Sequence, residues 1–271
     1  MIAVLFFLIL IRFSTGERLP NPNGYDDFVR AGGMVAGKTS AVNFEDATQV
    51  ATFAAQNSVV LAQVRAGLNK KCLVPVEFKT GWMGRHTREI MALGEAANAL
   101  KILAREREAA GAIDEAASIW LDEMRLGMEA RRGGVIIDYE VGASTEYWSI
   151  KHLHQLVSRL DQTHCQNMLR MLKGLASTVP AWSDVKRQER RWKWLGSGWW
   201  QSWDGIKKMV DDVFSGPSVE SQTPTSDRLR ELSAAQGKLM LALARRAFEL
   251  EQGRPPANDT ELVPRYLLRL P

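Results

Sequence analysis

The chain has 271 residues, of which 45 % are hydrophobic and 24 % charged, so most of it is expected to fold as one large domain or two small ones. Its 35 basic and 31 acidic side chains leave a formal charge of +4, which is too balanced to predict a nucleic-acid partner. The two cysteines, Cys72 and Cys165, form no metal-type pair, and two buried thiols are favoured over one disulfide.

The first residues form an uninterrupted apolar run, from Ile2 to Ile11, that is followed by Arg12. A membrane-spanning helix needs about 20 such residues and a signal-peptide core about 7–15. Residues 1–16 are therefore predicted to be a signal peptide or membrane anchor, with residues 17–271 facing the periplasm or the cell exterior. No basic residue precedes the run, so the alternatives are an atypical signal, a longer transmembrane anchor that begins upstream, and a buried helix of a soluble protein.

Helical periodicity dominates the first half of the remaining chain. Asn23 or Gly24 is expected to cap a short helix that carries Tyr25 and Phe28. A second apolar stripe extends from Ala47 to Leu68, with Asn57 and Ser58 interrupting it. After an extended piece at 72–78, whose Pro75 disfavours a central strand, two further helices are predicted on either side of a turn at Gly111.

The second half starts at Gly133-Gly134 with "VIIDYEVGASTEYW", which by periodicity suits either a strand or a helix. Helices are then predicted around Ile150–Leu160 and Cys165–Leu175, and another after Pro180. Residues 215–226 have the composition of a linker, and a long last helix ends at Gly253.

The fold class that follows is all-α, an irregular bundle of helical hairpins behind the N-terminal anchor or signal helix. Its predicted organisation is a helical ectodomain at 17–214, the linker at 215–226, and a C-terminal long helix and tail at 227–271 that pack on the ectodomain.

One motif resembles a phosphate-binding loop. Gly32 to Thr39, "GGMVAGKT", fits G-x-x-x-x-G-K-[ST], so Gly32, Gly37, Lys38 and Thr39 are candidate phosphate contacts. The motif has this meaning only between a buried strand and a helix, and the preceding "YDDFVRA" is charged and helix-like. Nucleotide binding is accordingly a minor hypothesis, and no cofactor is predicted.

The four histidines, His86, His152, His154 and His164, do not predict a metal or catalytic site. His152 and His154 face different sides of a helix, and the side chains of the adjacent His164 and Cys165 diverge. Structural or surface roles are therefore expected, with no metal site, and no known catalytic motif identifies an enzyme.

Five of the nine tryptophans lie within twelve positions: Trp192, Trp194, Trp199, Trp200 and Trp203. From Trp199 to Phe214 the apolar positions predict an amphipathic helix of about four turns. Packing in the core is the favoured interpretation, while contact with a membrane surface and a ligand platform are the alternatives.

Two resemblances bear on the function. "AREREAAGAIDEAASIWLDEMRLG" (104–127) is similar to a tetratricopeptide-type helical hairpin, although no second copy follows. The segments "LPNPNGYDDFVRAG", "LAQVRAGLNKKCLVP" and "RRAFELEQGRPPANDTELVPRYLLRLP" resemble a group of uncharacterised, membrane-anchored proteins of planctomycete bacteria. The anchor is short and the chain stops at Pro271, so truncation at either end is an open alternative.

The resemblance implies a helical ectodomain in the cell envelope and supplies no catalytic residues. The predicted function is a structural or protein-interaction role, with the lipid bilayer at the N-terminus and other envelope proteins as partners. An exported hydrolase with an unrecognised site is the alternative.

Overall fold

The computed structural model describes residues 18–79, 81–175, 181–195 and 225–269, and within these ranges the regular elements are all helical. The eight α-helices in that part of the chain are α1 (Gly24–Gly33), α2 (Ala47–Leu68), α3 (Trp82–Ala109), α4 (Ile113–Ala130), α5 (Ile136–Leu156), α6 (Gln162–Leu175), α7 (Trp182–Leu195) and α8 (Thr225–Gln252). Short 3₁₀ turns lie at Thr39–Ala41, Val157–Arg159 and Asp259–Leu262. The all-α prediction is confirmed.

Several helix ends lie where local chemistry places them. Asn23 caps α1 through its side chain, which accepts a hydrogen bond from Tyr25 N, and Asp46 does the same for α2. Gly111, at a φ of 78°, turns the chain between α3 and α4, and Gly253, at 67°, follows the end of α8. These boundaries match the sequence predictions.

Periodicity leaves the segment after Gly134 open between strand and helix, and the structure decides between them. The stretch after Gly134 is helical, and it continues through Ile150 to Leu156 as the single helix α5. Residues 215–224 of the predicted linker at 215–226 lie outside the described residues, and α8 begins at Thr225.

Neighbouring helices in the chain also pack together in space. The helix α1 packs on α2 and α3, α3 packs on α4, and α4 packs on α5. The last helix, α8, packs against α5 and α6. A continuous apolar core extends from Tyr25 in α1 to Phe248 in α8, and a smaller cluster gathers around Trp82 and Trp192.

The helices α4 and α5 approach unusually closely because a glycine lies on each side of their contact. A Cβ added at Gly142 would come within 2.2 Å of the carbonyl oxygen of Gly127, and one at Gly127 within 2.6 Å of the carbonyl oxygen of Gly142. Only glycine leaves room for this backbone contact, so the pair determines the distance between the two helices.

The N-terminal anchor or signal segment, residues 1–16, lies outside the described residues. Within the described ranges, no helix combines the length and the apolar character that a membrane crossing requires.

Candidate functional site

A group of ionisable side chains surrounds His86 of α3, which is fully buried. Its Nε2 lies 2.7 Å from Oδ1 of Asp138 in α5, and its Nδ1 lies 3.0 Å from Oε2 of Glu89, one turn further along α3. Burial lowers the pKa of His86, but the two carboxylates outweigh it and raise the pKa to about 9. At neutral pH the ring is therefore a cation that donates from both nitrogens.

Aromatic rings cover this cation. Trp82 stacks on His86 at 4.4 Å between ring centroids, and Trp192 of α7 packs against Trp82 at 5.4 Å. The Trp82 indole donates to Pro75 O, and Tyr25 packs near the other edge of the imidazole. His86, Asp138 and Glu89 are called the His86 group here; Trp82 and Trp192 lie over its buried part, whereas the side chain of Glu89 is 21 % exposed.

Carboxylates at and near the His86 group also cap the N-terminal end of α5. Asp138 Oδ2 accepts a hydrogen bond from Val135 N, and Glu189 of α7 accepts one from Ile136 N. Both carboxylates occupy the positive N-terminal end of α5, where negative charge is favoured. Asp138 therefore both caps α5 and stabilises the His86 cation.

A second buried group links α4, α5 and α8. Arg131 and Glu146, at 1 % and 0 % side-chain exposure, form an ion pair, and Gln236 of α8 donates to the other oxygen of Glu146. Burial raises the pKa of Glu146 to about 7, against the opposing effects of Arg131 and Gln236. The guanidinium also lies 4.9 Å from the centre of the Tyr139 ring.

The carboxyl of Glu123 in α4 is the least compensated buried acid in the described structure. Lys101 Nζ is 3.8 Å from Glu123 Oε1, and neither oxygen of Glu123 has a hydrogen-bond partner within normal geometry. Ser149 lies close, but its hydroxyl donates to Thr145 O. Burial raises the pKa of Glu123 to about 7, more than Lys101 and Ser149 lower it.

The other histidines divide between the interior and the surface. His152 stacks on Trp120 at 4.2 Å, and its pKa is lowered to about 4 by burial and by Arg105. His154 is exposed, so the two residues do face different sides of α5. His164 is half-buried, and its Nδ1 lies 3.0 Å from Asp161 Oδ1 and 3.4 Å from Asp114 Oδ1.

The candidate phosphate loop follows a helix. Gly32 belongs to α1, where a Cβ would come within 1.8 Å of the carbonyl oxygen of Ala92, so this glycine serves helix packing. Lys38 is exposed and precedes a 3₁₀ turn, and the Thr39 hydroxyl donates to Glu95 at 2.8 Å. Gly37 has a φ of 84°, as a tight turn requires. The strand–loop–helix context on which the nucleotide hypothesis depends is not formed at these residues.

Only one of the five clustered tryptophans has a described side chain. Trp192 is 2 % exposed and packs in the apolar cluster with Trp82. The side chain of Trp194, and all of Trp199, Trp200 and Trp203, lie outside the described residues.

Cys72 and Cys165 are separate buried thiols, and burial raises the pKa of Cys165 to about 11.

An open groove of about 780 Å³ lies between the first half of α8 and the C-terminal tail. Among the described residues, its lining contains three basic side chains and no acidic one: Arg230, Ser233, Ala234, Gly237, Lys238, Leu241 and Arg269. We call this feature the α8 groove. No sequence pattern predicts this groove, because Arg269 comes to α8 only through the fold.

Comparison of the chain with protein-family models, with curated proteins and with solved structures finds no match.

Proposed function

We propose that this chain is an envelope-located, membrane-anchored helical protein whose ectodomain binds other envelope proteins, and that an acidic partner segment docks in the α8 groove. The apolar residues 2–11 and the resemblance to membrane-anchored proteins support the location. The observation that carries the binding role is the basic lining of the α8 groove.

The two faces of α8 support this division of roles. Leu232, Leu239 and Leu243 are buried, on the side that packs against α5 and α6. The groove positions follow the i, i+4, i+8 spacing of another face, with Arg230, Ala234 and Lys238 in one row. The first face stabilises the fold, whereas Arg230, Ala234 and Lys238 on the second face are exposed.

The shape and charge of the α8 groove suit an extended acidic chain. Three of its lining residues, Ser233, Ala234 and Gly237, are small, which allows a partner backbone to approach closely. Lys238 and Arg269 are exposed and supply positive charge at the rim. Exposed ion pairs contribute about 0.2–1 kcal/mol each, so these charges favour association rate and partner choice more than affinity.

The buried ionic groups favour binding over catalysis as the role of the described part. His86, Glu123 and Glu146 have side chains with no solvent exposure, and a substrate would reach them only if helices separated. Such groups hold helices in register, at a cost in desolvation.

Photo-crosslinking in the native envelope tests the docking role. A photoreactive residue at Ala234 should yield a defined adduct, which the double variant Lys238→Glu/Arg269→Glu abolishes. The matched control, Lys71→Glu/Arg88→Glu, reverses two exposed charges outside the groove and should leave the adduct intact. A fluorescent Glu-rich peptide should likewise bind the wild type and the control but not the groove variant. Equal crosslinking and equal peptide binding by all three proteins would contradict the proposal.

Fractionation tests the location. The full chain should sediment with membranes, whereas a chain that lacks residues 1–16 should remain in the soluble fraction. Recovery of the full chain as a soluble cytoplasmic species would contradict the proposed location.

A further inference from the structure

Three side chains with metal-ligand chemistry meet at the start of two helices. Asp114 lies in the first turn of α4, Asp161 immediately precedes α6, and His164 lies in the first turn of α6. One potential ligand atom from each residue falls within 4.8 Å of the other two. We call these residues the His164 triad.

The triad contains an oxygen that the protein leaves without a hydrogen bond. Asp114 Oδ1 is shielded from solvent and has no hydrogen-bond partner, although it faces His164 Nδ1 at 3.4 Å. A single proton on Nδ1 is directed towards the nearer Asp161 oxygen at 3.0 Å, so it does not compensate Asp114 as well. A cation bound to Nδ1 would compensate both carboxylates at once.

Two of the three separations in the triad suit a small divalent ion. Tetrahedral Zn²⁺ with bonds of about 2.0–2.1 Å places its nitrogen and oxygen ligands about 3.3 Å apart. The two distances from Nδ1, 3.0 and 3.4 Å, lie on either side of this value. One imidazole and two carboxylates also form a ligand set that suits zinc better than calcium or magnesium, which prefer oxygen ligands alone.

The surroundings hold one ligand in place and leave the ion accessible. Asp161 Oδ1 accepts the backbone N–H of His164 at 2.7 Å, which fixes the carboxylate as the cap of α6. The side chains of Asp114, Asp161 and His164 are 41 %, 55 % and 35 % exposed, so water can complete the coordination. With a neutral imidazole the triad carries two negative charges, which attract a divalent cation.

We propose that Asp114, Asp161 and His164 form a zinc-binding site that joins the start of α4 to the start of α6. His164 supplies Nδ1, and each aspartate supplies one carboxylate oxygen. The bound ion replaces the proton on Nδ1, and water occupies the remaining coordination position. This site is independent of the α8 groove and of the docking role proposed for it.

Zinc titration of the full, untagged chain, first stripped with a chelator, tests the site by calorimetry and by metal analysis after dialysis. The wild type should bind one zinc ion per chain. His164→Ala and Asp114→Asn should each weaken binding at least about tenfold, since loss of an outer partner alone costs 10–100-fold. The control His154→Ala removes an exposed histidine of α5 and should bind as the wild type does.

Cobalt substitution gives a readout that a merely structural role would not produce. Co²⁺ bound to the triad should show the visible absorption of low-coordinate cobalt, and this signal should vanish in His164→Ala. Far-UV circular dichroism establishes that each variant is folded, and Asp114→Asn avoids the loss of the α6 cap that Asp161→Asn would cause. Absence of zinc binding by the wild type, or unchanged affinity in either Asp114→Asn or His164→Ala, would overturn the proposal.

Discussion

Replacing Glu123 by glutamine should stabilise the protein at alkaline pH and leave its stability unchanged at acidic pH. Burial raises the pKa of Glu123 from its usual 4.5 to about 7, so the folded protein holds this proton more tightly than the unfolded chain does. Between about pH 4.5 and 7 the folded state binds more protons than the unfolded state, and its stability therefore falls as the pH rises. Glutamine is neutral throughout and lacks this cost.

The magnitude follows from the size of the pKa shift. At 1.36 kcal/mol per pKa unit, the ionised Glu123 costs about 3 kcal/mol above pH 7 and almost nothing near pH 4.5. The substitution would also remove the attraction to Lys101, but that ammonium is 3.8 Å away, 18 % exposed and also bonded to Asn98. We expect Glu123→Gln to gain roughly 2–3 kcal/mol in free energy of unfolding at about pH 8.

Urea unfolding followed by far-UV circular dichroism measures this difference at about pH 5 and pH 8. Glu146 has its pKa raised in the same range, so the variant should keep a reduced fall in stability rather than none. The control Glu45→Gln changes an exposed carboxyl and should match the wild type at both pH values. A loss of stability in Glu123→Gln that is equal at both pH values would show that the carboxylate is compensated, and would refute the reasoning.

Two other substitutions test the interior. Gly142→Ala should lower the free energy of unfolding by about 3 kcal/mol or more, because its Cβ would meet the Gly127 carbonyl oxygen. Gly84→Ala, in an uncrowded turn of α3, should instead raise it by up to about 1 kcal/mol, and equal melting shifts in the two variants would contradict the close-contact argument. His86 has a pKa raised from 6.5 to about 9, so its contribution is complete below pH 6.5 and lost as the pH rises through about 9. His86→Gln should therefore be less stable at neutral pH and should flatten this fall in urea titrations, whereas an unchanged slope would show that His86 is not the titrating group.

The sequence predicts the positions of the helices better than it predicts the contacts between them. Local signals locate the start of α1 at Asn23, the turn at Gly111 and the end of α8 before Gly253. Asn57 shows where a local pattern misleads, because it interrupts the apolar stripe of α2 and is nevertheless fully buried. Its side chain bonds to Phe53 O and to both backbone groups of Ala36, and that second contact depends on the fold.

The sequence predicts only part of each ionic group, because other members come from distant helices through the fold. His86 and Glu89 are three residues apart on α3, and Asp161, which precedes α6, lies three residues before His164. A spacing of three brings side chains together and is visible in the sequence. Asp138 and Asp114 reach these histidines from other helices, so no pattern of spacing identifies them. Periodicity likewise leaves "VIID" open between strand and helix. Asp138 of this segment caps α5 and pairs with His86 of α3, and the second contact depends on the fold.

The order in which helices pack has a consequence for synthesis of the chain. From α2 to α5 each helix packs on at least one helix that has already left the ribosome, so these hairpins can assemble while translation continues. The sides of α5 and α6 that face α8 become buried only after α8 is synthesised, because Leu239 and Leu243 of α8 cover them. A nascent chain released before α8 is complete would expose the apolar surfaces of α5 and α6 that α8 covers. Chaperones and proteases recognise exposed apolar surfaces of this kind.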